Sequence, residues 1–298
     1  MPRSLEALHL TNAYRSRLLA SRQATAQLVA SAWLAHLDPS DLDTSYARWL
    51  RQAVVTVENA KRQGVYLSDA YLAAFIAAET GSETRPRGLQ PDPYLDTVDG
   101  RSLTQALATP LFTVKASIAV GRSVSEALRL GQARATRIVA VEVLDAPRRA
   151  LGDLMVEERR VVGKVRVVSA NACGACLALA TGVEDPEAAH RTHAHCRCVW
   201  EPVIRGVRER YRRPTGREVF DALTPEEQAR LFAGRGGAKK ADLVRSGAVP
   251  FDALAKRESM EVTPDVYTEA SLADLRRQAN RLGRDALAPT IQEDGRDG

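Results

Sequence analysis

Scarcities narrow the field first. The 298-residue chain has only four cysteines, and all of them fall in one window, ANACGACLALATGVEDPEAAHRTHAHCRCVWEPV, from Ala170 to Val203. Aromatic residues make up just 5% of the chain, which argues against a surface that stacks successive bases. No segment approaches the roughly 20 apolar residues of a membrane span, so no membrane anchor is expected. The opening MPRSLEALHL lacks the basic stretch and apolar run of a signal peptide. The expectation is a chain folded in a cytosol, where structural disulfides are rare. The net charge of +5 sets 42 basic residues against 37 acidic ones, a balance that permits contact with nucleic acid without requiring it. No G-x-S-x-G elbow is present, and FAGRGGAKK (Phe232 to Lys240) misses the spacing of a phosphate loop. Outside the cysteine window the only histidines are His9 and His36, both in helical text. No catalytic constellation emerges.

What is present reads as mainly α. Leu8, Leu18, Leu28, Val29, Trp33 and Leu37 follow helical spacing, and Leu42, Tyr46, Trp49, Leu50, Val54 and Val57 repeat it on a second helix after Asp38-Pro39. Gly64 reads as a break before a third segment with Tyr71, Phe75 and Ile76. Residues 81–100, rich in proline and glycine, read as a long loop. Thr109-Pro110 then reads as a helix start, Ser123 to Glu126 as a capping box for a helix reaching about Leu144, and Asp145 with Pro147 as the start of another. Residues 1–158 thus form a helical domain of long members. Residues 159–204 form a small α+β unit, with Val161 to Val168 as one strand and Val199 to Val203 as another. A basic linker (205–218) leads to a small helical module (219–258). That module has Phe220, Leu223, Leu231, Phe232, Leu243, Val244, Phe251 and Leu254 as candidate core. Its first helix, capped at Thr224, is expected to stop at Gly234. A terminal helix near Glu269 to Ala286 and a mobile polar tail complete the chain (259–298).

Cys173 and Cys176 form C-x-x-C, and Cys196 and Cys198 form C-x-C. Two close thiol pairs separated by a loop are how a chain brings four soft ligands to one tetrahedral metal. If the second pair is extended, Cys196 and Cys198 share a face while His193 and His195 point the other way, which favours four cysteines over three plus His193. Few residues between the pairs can form a core, and a structural zinc would supply on the order of 10–16 kcal/mol of folding energy. Disulfides are the alternative. A redox C-x-x-C lacks its βαβ setting, and crowding all four thiols together does not suit a dedicated nucleophile. Beyond Trp200, Arg205, Arg208, Arg210, Arg212, Arg213 and Arg217 could meet DNA phosphates or form a solvated linker.

A strand, C-x-x-C, a loop and then H-A-H-C-R-C followed by E-P-V resembles the signature of the Mu F-like (MuF) phage head proteins. In that family the second half is typically H-P-x-C-R-C, which aligns His193 with the family histidine and puts Ala194 in place of the proline. The long helical region and the segment LTPEEQARLFAGRGGAKKADLVRSG are similar in style to actinophage versions. The resemblance implies a minor capsid protein acting in head morphogenesis in the virion, assembled in the bacterial host cytoplasm. It implies portal, major capsid or scaffolding proteins as partners, with packaged DNA as a further one. Relatives are often fused to a capsid maturation protease, but no protease motif is found here and that activity is not expected. A DNA-packaging or ejection factor using residues 205–217 is the alternative.

Overall fold

Ser4 opens the first helix by accepting the Ala7 N–H, and the chain then runs unbroken through α1 (Leu5–His36). Ala7, Thr11, Tyr14, Leu18, Thr25, Val29 and Trp33 are its buried stripe, at the three- and four-residue steps that keep one helical face inward. The computed structural model describes residues 4–97, 99–168, 172–188, 192–193, 196–206, 213–232, 236–257 and 266–283, with backbone alone at 192, 193 and 266. α2 (Leu42–Thr80) ends on Gly81, left-handed at φ 69°, whose N–H caps the Ala77 carbonyl. α3 (Leu103–Ala119) and α4 (Val124–Glu157) complete a bundle in which α1, α2 and α4 pack against one another and α3 lies on α2 and α4. Among the described residues no helix is long and apolar enough to cross a membrane.

Three expected helix breaks do not occur. Gly64 lies inside α2, Pro110 inside α3 and Pro147 inside α4. Proline costs a helix interior about 3 kcal/mol, but here tertiary contacts outweigh local propensity. The Pro147 ring packs over Gly64, where an added Cβ would come within 3.1 Å of it. Its carbonyl accepts from Ser68, whose hydroxyl also meets Tyr14. The true start of α3 is Ser102, which forms a capping box with Gln105. The loop at 81–100 is held down as well, since the buried Asp69 carboxylate accepts from the N–H groups of Arg87, Gly88 and Leu89.

One part of the bundle core is centred on Trp33, Tyr46 and Trp49, whose ring centroids lie 4.9–5.7 Å apart. Another gathers Tyr14, Leu18, Tyr71, Phe75, Leu144, Leu151 and Leu154, and it extends into a sheet. In that sheet β1 (Val161–Val167) is flanked antiparallel by β2 (Val183–Glu184) and β4 (Val199–Ile204). Val161, Val165, Val167, Trp200, Val203 and Ile204 share this core with the helices. The two expected strands are therefore present, and they are built onto the helical bundle.

A separate core belongs to the C-terminal region. It joins α5 (Gly174–Ala178), α6 (Gly216–Asp221), α8 (Gly237–Arg245) and α9 (Leu272–Arg281) with Leu231 and Phe232, which directly follow α7 (Pro225–Arg230). A second sheet, absent from the sequence reading, sets β6 (Val266–Glu269) between β3 (Thr192–His193), in parallel, and β5 (Ala255–Arg257), antiparallel. Phe220, Phe232, Leu243, Val244 and Leu254 are buried as expected, with Leu231 and Phe251 partly buried beside them. The expected basic linker in fact contains the start of α6, capped by Thr215. α7 ends by Arg230, so the expected stop at Gly234, like the tail beyond residue 283, lies outside the described residues.

Candidate metal centre

The cysteine window spans the seam between these two cores. From its N-terminal half comes α5, packed among C-terminal residues; from its C-terminal half comes β4, packed against the bundle. Cys173 sits at the N-cap of α5 and Cys176 in its first turn. Close backbone approach fixes this short helix. An added Cβ on Gly174 would lie 2.5 Å from the Phe232 ring, and one on Gly216 would lie 1.8 Å from the Leu177 carbonyl oxygen. Leu177, Ala178 and Leu179 are buried, so the segment between the thiol pairs contributes to a core, contrary to the expectation that it has little to offer one.

The sulfur atoms of Cys176, Cys196 and Cys198 all lie within 4.8 Å of one another, and all three residues are buried. The Cys176 sulfur is 3.3 Å from that of Cys198 and 4.0 Å from that of Cys196. Tetrahedral ligation with Zn–S bonds of about 2.3 Å places ligand sulfurs about 3.8 Å apart, so these separations match a soft-metal donor set. Cys173, half-buried, has its thiol against that of Cys176 but stands outside the mutually close trio. All four cysteines are free. Sulfurs 3.3 Å apart are far from the roughly 2.05 Å of a disulfide, so the disulfide alternative is corrected. The burial order of residues 196–198 is buried, exposed, buried, which is the alternation that puts both cysteines on one face. The His193 backbone pairs with Tyr267 in the second sheet. Its side chain lies outside the described residues, as does all of His195.

Crowding and burial favour the protonated thiol at Cys176 and Cys198 when no cation is near. Contacts with Cys173, Cys196 and Cys198 push the Cys176 pKa up. A hydrogen bond with Cys176 pulls the Cys198 thiol down, yet its contact with Cys196 and its burial leave it pushed up to about 12. A divalent cation inverts this balance, because a coordinated thiol gives up its proton.

Two buried arginines answer the charge that thiolates would carry, and the sequence offered no signal for either. From α4, the Arg148 guanidinium donates to the Cys198 carbonyl at 2.8 and 3.2 Å and to the Cys196 carbonyl at 2.9 Å. From β1, Arg166 places Nη1 3.8 Å from the Cys196 sulfur and stacks over Trp200, 4.5 Å from the ring centroid. Burial alone would lower the Arg166 pKa, but the neighbouring cysteines raise it. Lys164 and Arg166 alternate with valines along β1, and both are buried.

The arginine segment is partly committed to internal contacts. Arg213 pairs with the fully buried Glu201 at 2.9 Å, and Arg217 pairs with Asp221 at 2.7 Å. Arg205 donates to the Arg159 carbonyl. Arg208, Arg210 and Arg212 lie outside the described residues. No protein-family model, no curated protein and no solved structure matches this chain.

Proposed function

We propose that this chain is a structural, non-enzymatic minor capsid protein of a tailed bacteriophage, acting in head morphogenesis. One zinc ion locks its bundle to its C-terminal module. The reading rests chiefly on one observation, the three buried sulfurs at ligand spacing on the seam between two hydrophobic cores. They lie in the window whose motif resembles the MuF head proteins.

Cys176, Cys196 and Cys198 would hold the ion, with Cys173 as fourth ligand and His193 as its substitute. Bound there, zinc supplies folding energy, on the order of 10–16 kcal/mol in small zinc domains. The protein's own groups do the rest. Arg148 holds the carbonyls of the C-x-C, Arg166 sets positive charge against the Cys196 sulfur, and the packing of Gly174 under Phe232 fixes the other pair. Such a site leaves no open position for a substrate, which suits a joint better than an enzyme.

In this reading the portal protein, with the major capsid or scaffolding protein, is the partner, and the virion head is the location. Cross-linking and mass spectrometry of assembled heads test it. Cross-links from this chain to the portal are expected, whereas absence of the chain from both proheads and virions refutes the proposal. Residues 205–217 give less support to the DNA-binding alternative than their sequence suggests, because Arg213 and Arg217 already hold carboxylates. Salt-sensitive duplex binding lost on removing Arg205 would revive it.

A further inference from the structure

α1 and α4 run antiparallel and leave a groove of about 600 Å³ between them, lined among others by Arg22, Gln23, Ala26, Gln27, Thr136 and Arg197. Hydrogen bonds across the helices bracket it, from Arg22 Nε to the Ala140 carbonyl and from Gln132 to the Ala30 carbonyl. At 1.5 Å per residue these anchors stand about 12 Å apart along α1. The chain has no acidic residue between Glu6 and Asp38, nor between Glu126 and Glu142. The same two stretches carry Arg15, Arg17 and Arg22 on one helix and Arg129, Arg134 and Arg137 on the other. Among the described residues none of these arginines, nor Arg197, meets a carboxylate within ion-pair distance.

We infer that this groove binds an acidic polypeptide segment of a partner protein, whose carboxylates meet Arg22 and Arg197. Arg22 is half-buried, and its Nε is committed to Ala140. Its two terminal nitrogens make no hydrogen bond among the described residues and form the fork that a carboxylate accepts in bidentate fashion. Arg197 projects from between the two buried cysteines onto this surface. Burial and then the nearby charges of Arg197 and Arg148 lower the Arg22 pKa against a smaller opposing pull from Cys196, so positive charge is gathered here with no carboxylate among the described residues to meet it. Charge balance at the cysteines does not account for the pair, because Arg148 and Arg166 already occupy those positions.

The other linings fit a peptide. Gln23 and Gln27 stand on the rim, one helical turn apart, where their amides can bond an extended backbone. Ala26, Ala30, Ala140 and Leu19 give an apolar floor for a small side chain. None of the lining residues is aromatic, so the groove has no stacking platform for single-stranded nucleic acid. A guanidinium recessed between packed helices suits a carboxylate on a flexible side chain better than a phosphate fixed on a rigid duplex. This inference goes beyond the capsid reading and does not depend on it.

Fluorescence anisotropy of the full chain with a fluorescein-labelled peptide rich in Asp and Glu, with interspersed Leu and Ser, tests it. Binding that weakens with salt is expected. Arg22→Gln and Arg197→Gln should each lower affinity about tenfold, in keeping with the loss of one charge-assisted bond. Arg217→Gln, outside the groove, should leave affinity unchanged. Because Arg197 adjoins two cysteines, Ala26→Trp, which fills the groove away from them, serves as an independent block and should also abolish binding. Three results overturn the inference: no peptide binding at low salt, peptide binding indifferent to both Arg22→Gln and Ala26→Trp, or tighter binding of duplex DNA that the same variants remove.

Discussion

Replacing Arg148 by alanine removes a side chain that ties α4 to both cysteines of the C-x-C pair. Three hydrogen bonds from a buried guanidinium are lost, at 2.8, 2.9 and 3.2 Å. Bonds to charged groups contribute about 1.5–3 kcal/mol each and are not additive when they share a donor. Arg148 also repels Arg22, so its loss returns a little stability. The net expectation is a destabilisation of about 3 kcal/mol, read as a lower urea midpoint at unchanged slope. The chelator-dependent rate of metal release from the same variant should rise about ten- to hundredfold, as when groups that orient metal ligands are removed. Arg148→Lys should recover only part of this, since an ammonium cannot span two carbonyls as a planar fork does. A variant within about 0.5 kcal/mol of the parent, with unaltered metal release, would refute the assignment of Arg148 as the group that positions the C-x-C.

Other perturbations separate the bundle from the cysteine site. Cys176→Ser should abolish metal binding and loosen the C-terminal core around Phe220 and Phe232 while the far-ultraviolet helix signal of α1 to α4 persists; proteolysis confined to the region after Glu158 is the readout. Lys61→Met strands the buried Glu142 carboxylate, now 2.8 Å from the ammonium, and should cost about 3–5 kcal/mol. Lys61→Met with Glu142→Leu should restore most of that loss in thermal melts. Acid sensitivity is expected where α4 meets β1. Hydrogen bonds from Arg160, then its charge and a hydrogen bond from Arg87, hold the Glu158 carboxyl down at about 2 against an ordinary 4.5. A depressed pKa stabilises the fold above the ordinary value and is lost as pH falls from about 4.5 towards 2. Glu158→Gln should therefore flatten the acid limb of the pH–stability curve.

The long helices were legible because apolar residues recur at helical steps; Leu18, Val29 and Trp33 lie on the buried stripe of α1, whereas Leu28, read on the same stripe, is exposed. Local punctuation misled where packing overrode it. Gly64 and Pro147 each signal a break when read alone, but they face each other across α2 and α4 and remove the steric reason for one. The β5–β6 sheet was missed because Ala255–Arg257 and Val266–Glu269 are too short for a period-2 pattern to show. At the metal centre, ligand spacing named the cysteines and alternation named the face shared by Cys196 and Cys198. Arg148 and Arg166 were invisible, because their role depends on α4 and β1 meeting the window in space. The arginine run after Trp200 read as free charge, and only tertiary structure shows Arg213 turned onto Glu201.

Metal content of the purified full chain, prepared without chelator, bears most directly on the central claim. About one zinc per chain is expected from one four-ligand site. It should be lost in Cys176→Ser, and its removal should lower the melting temperature of the C-terminal module. A metal-free protein with four titratable thiols, melting identically with and without chelator, would contradict the account of this seam as a zinc-locked joint.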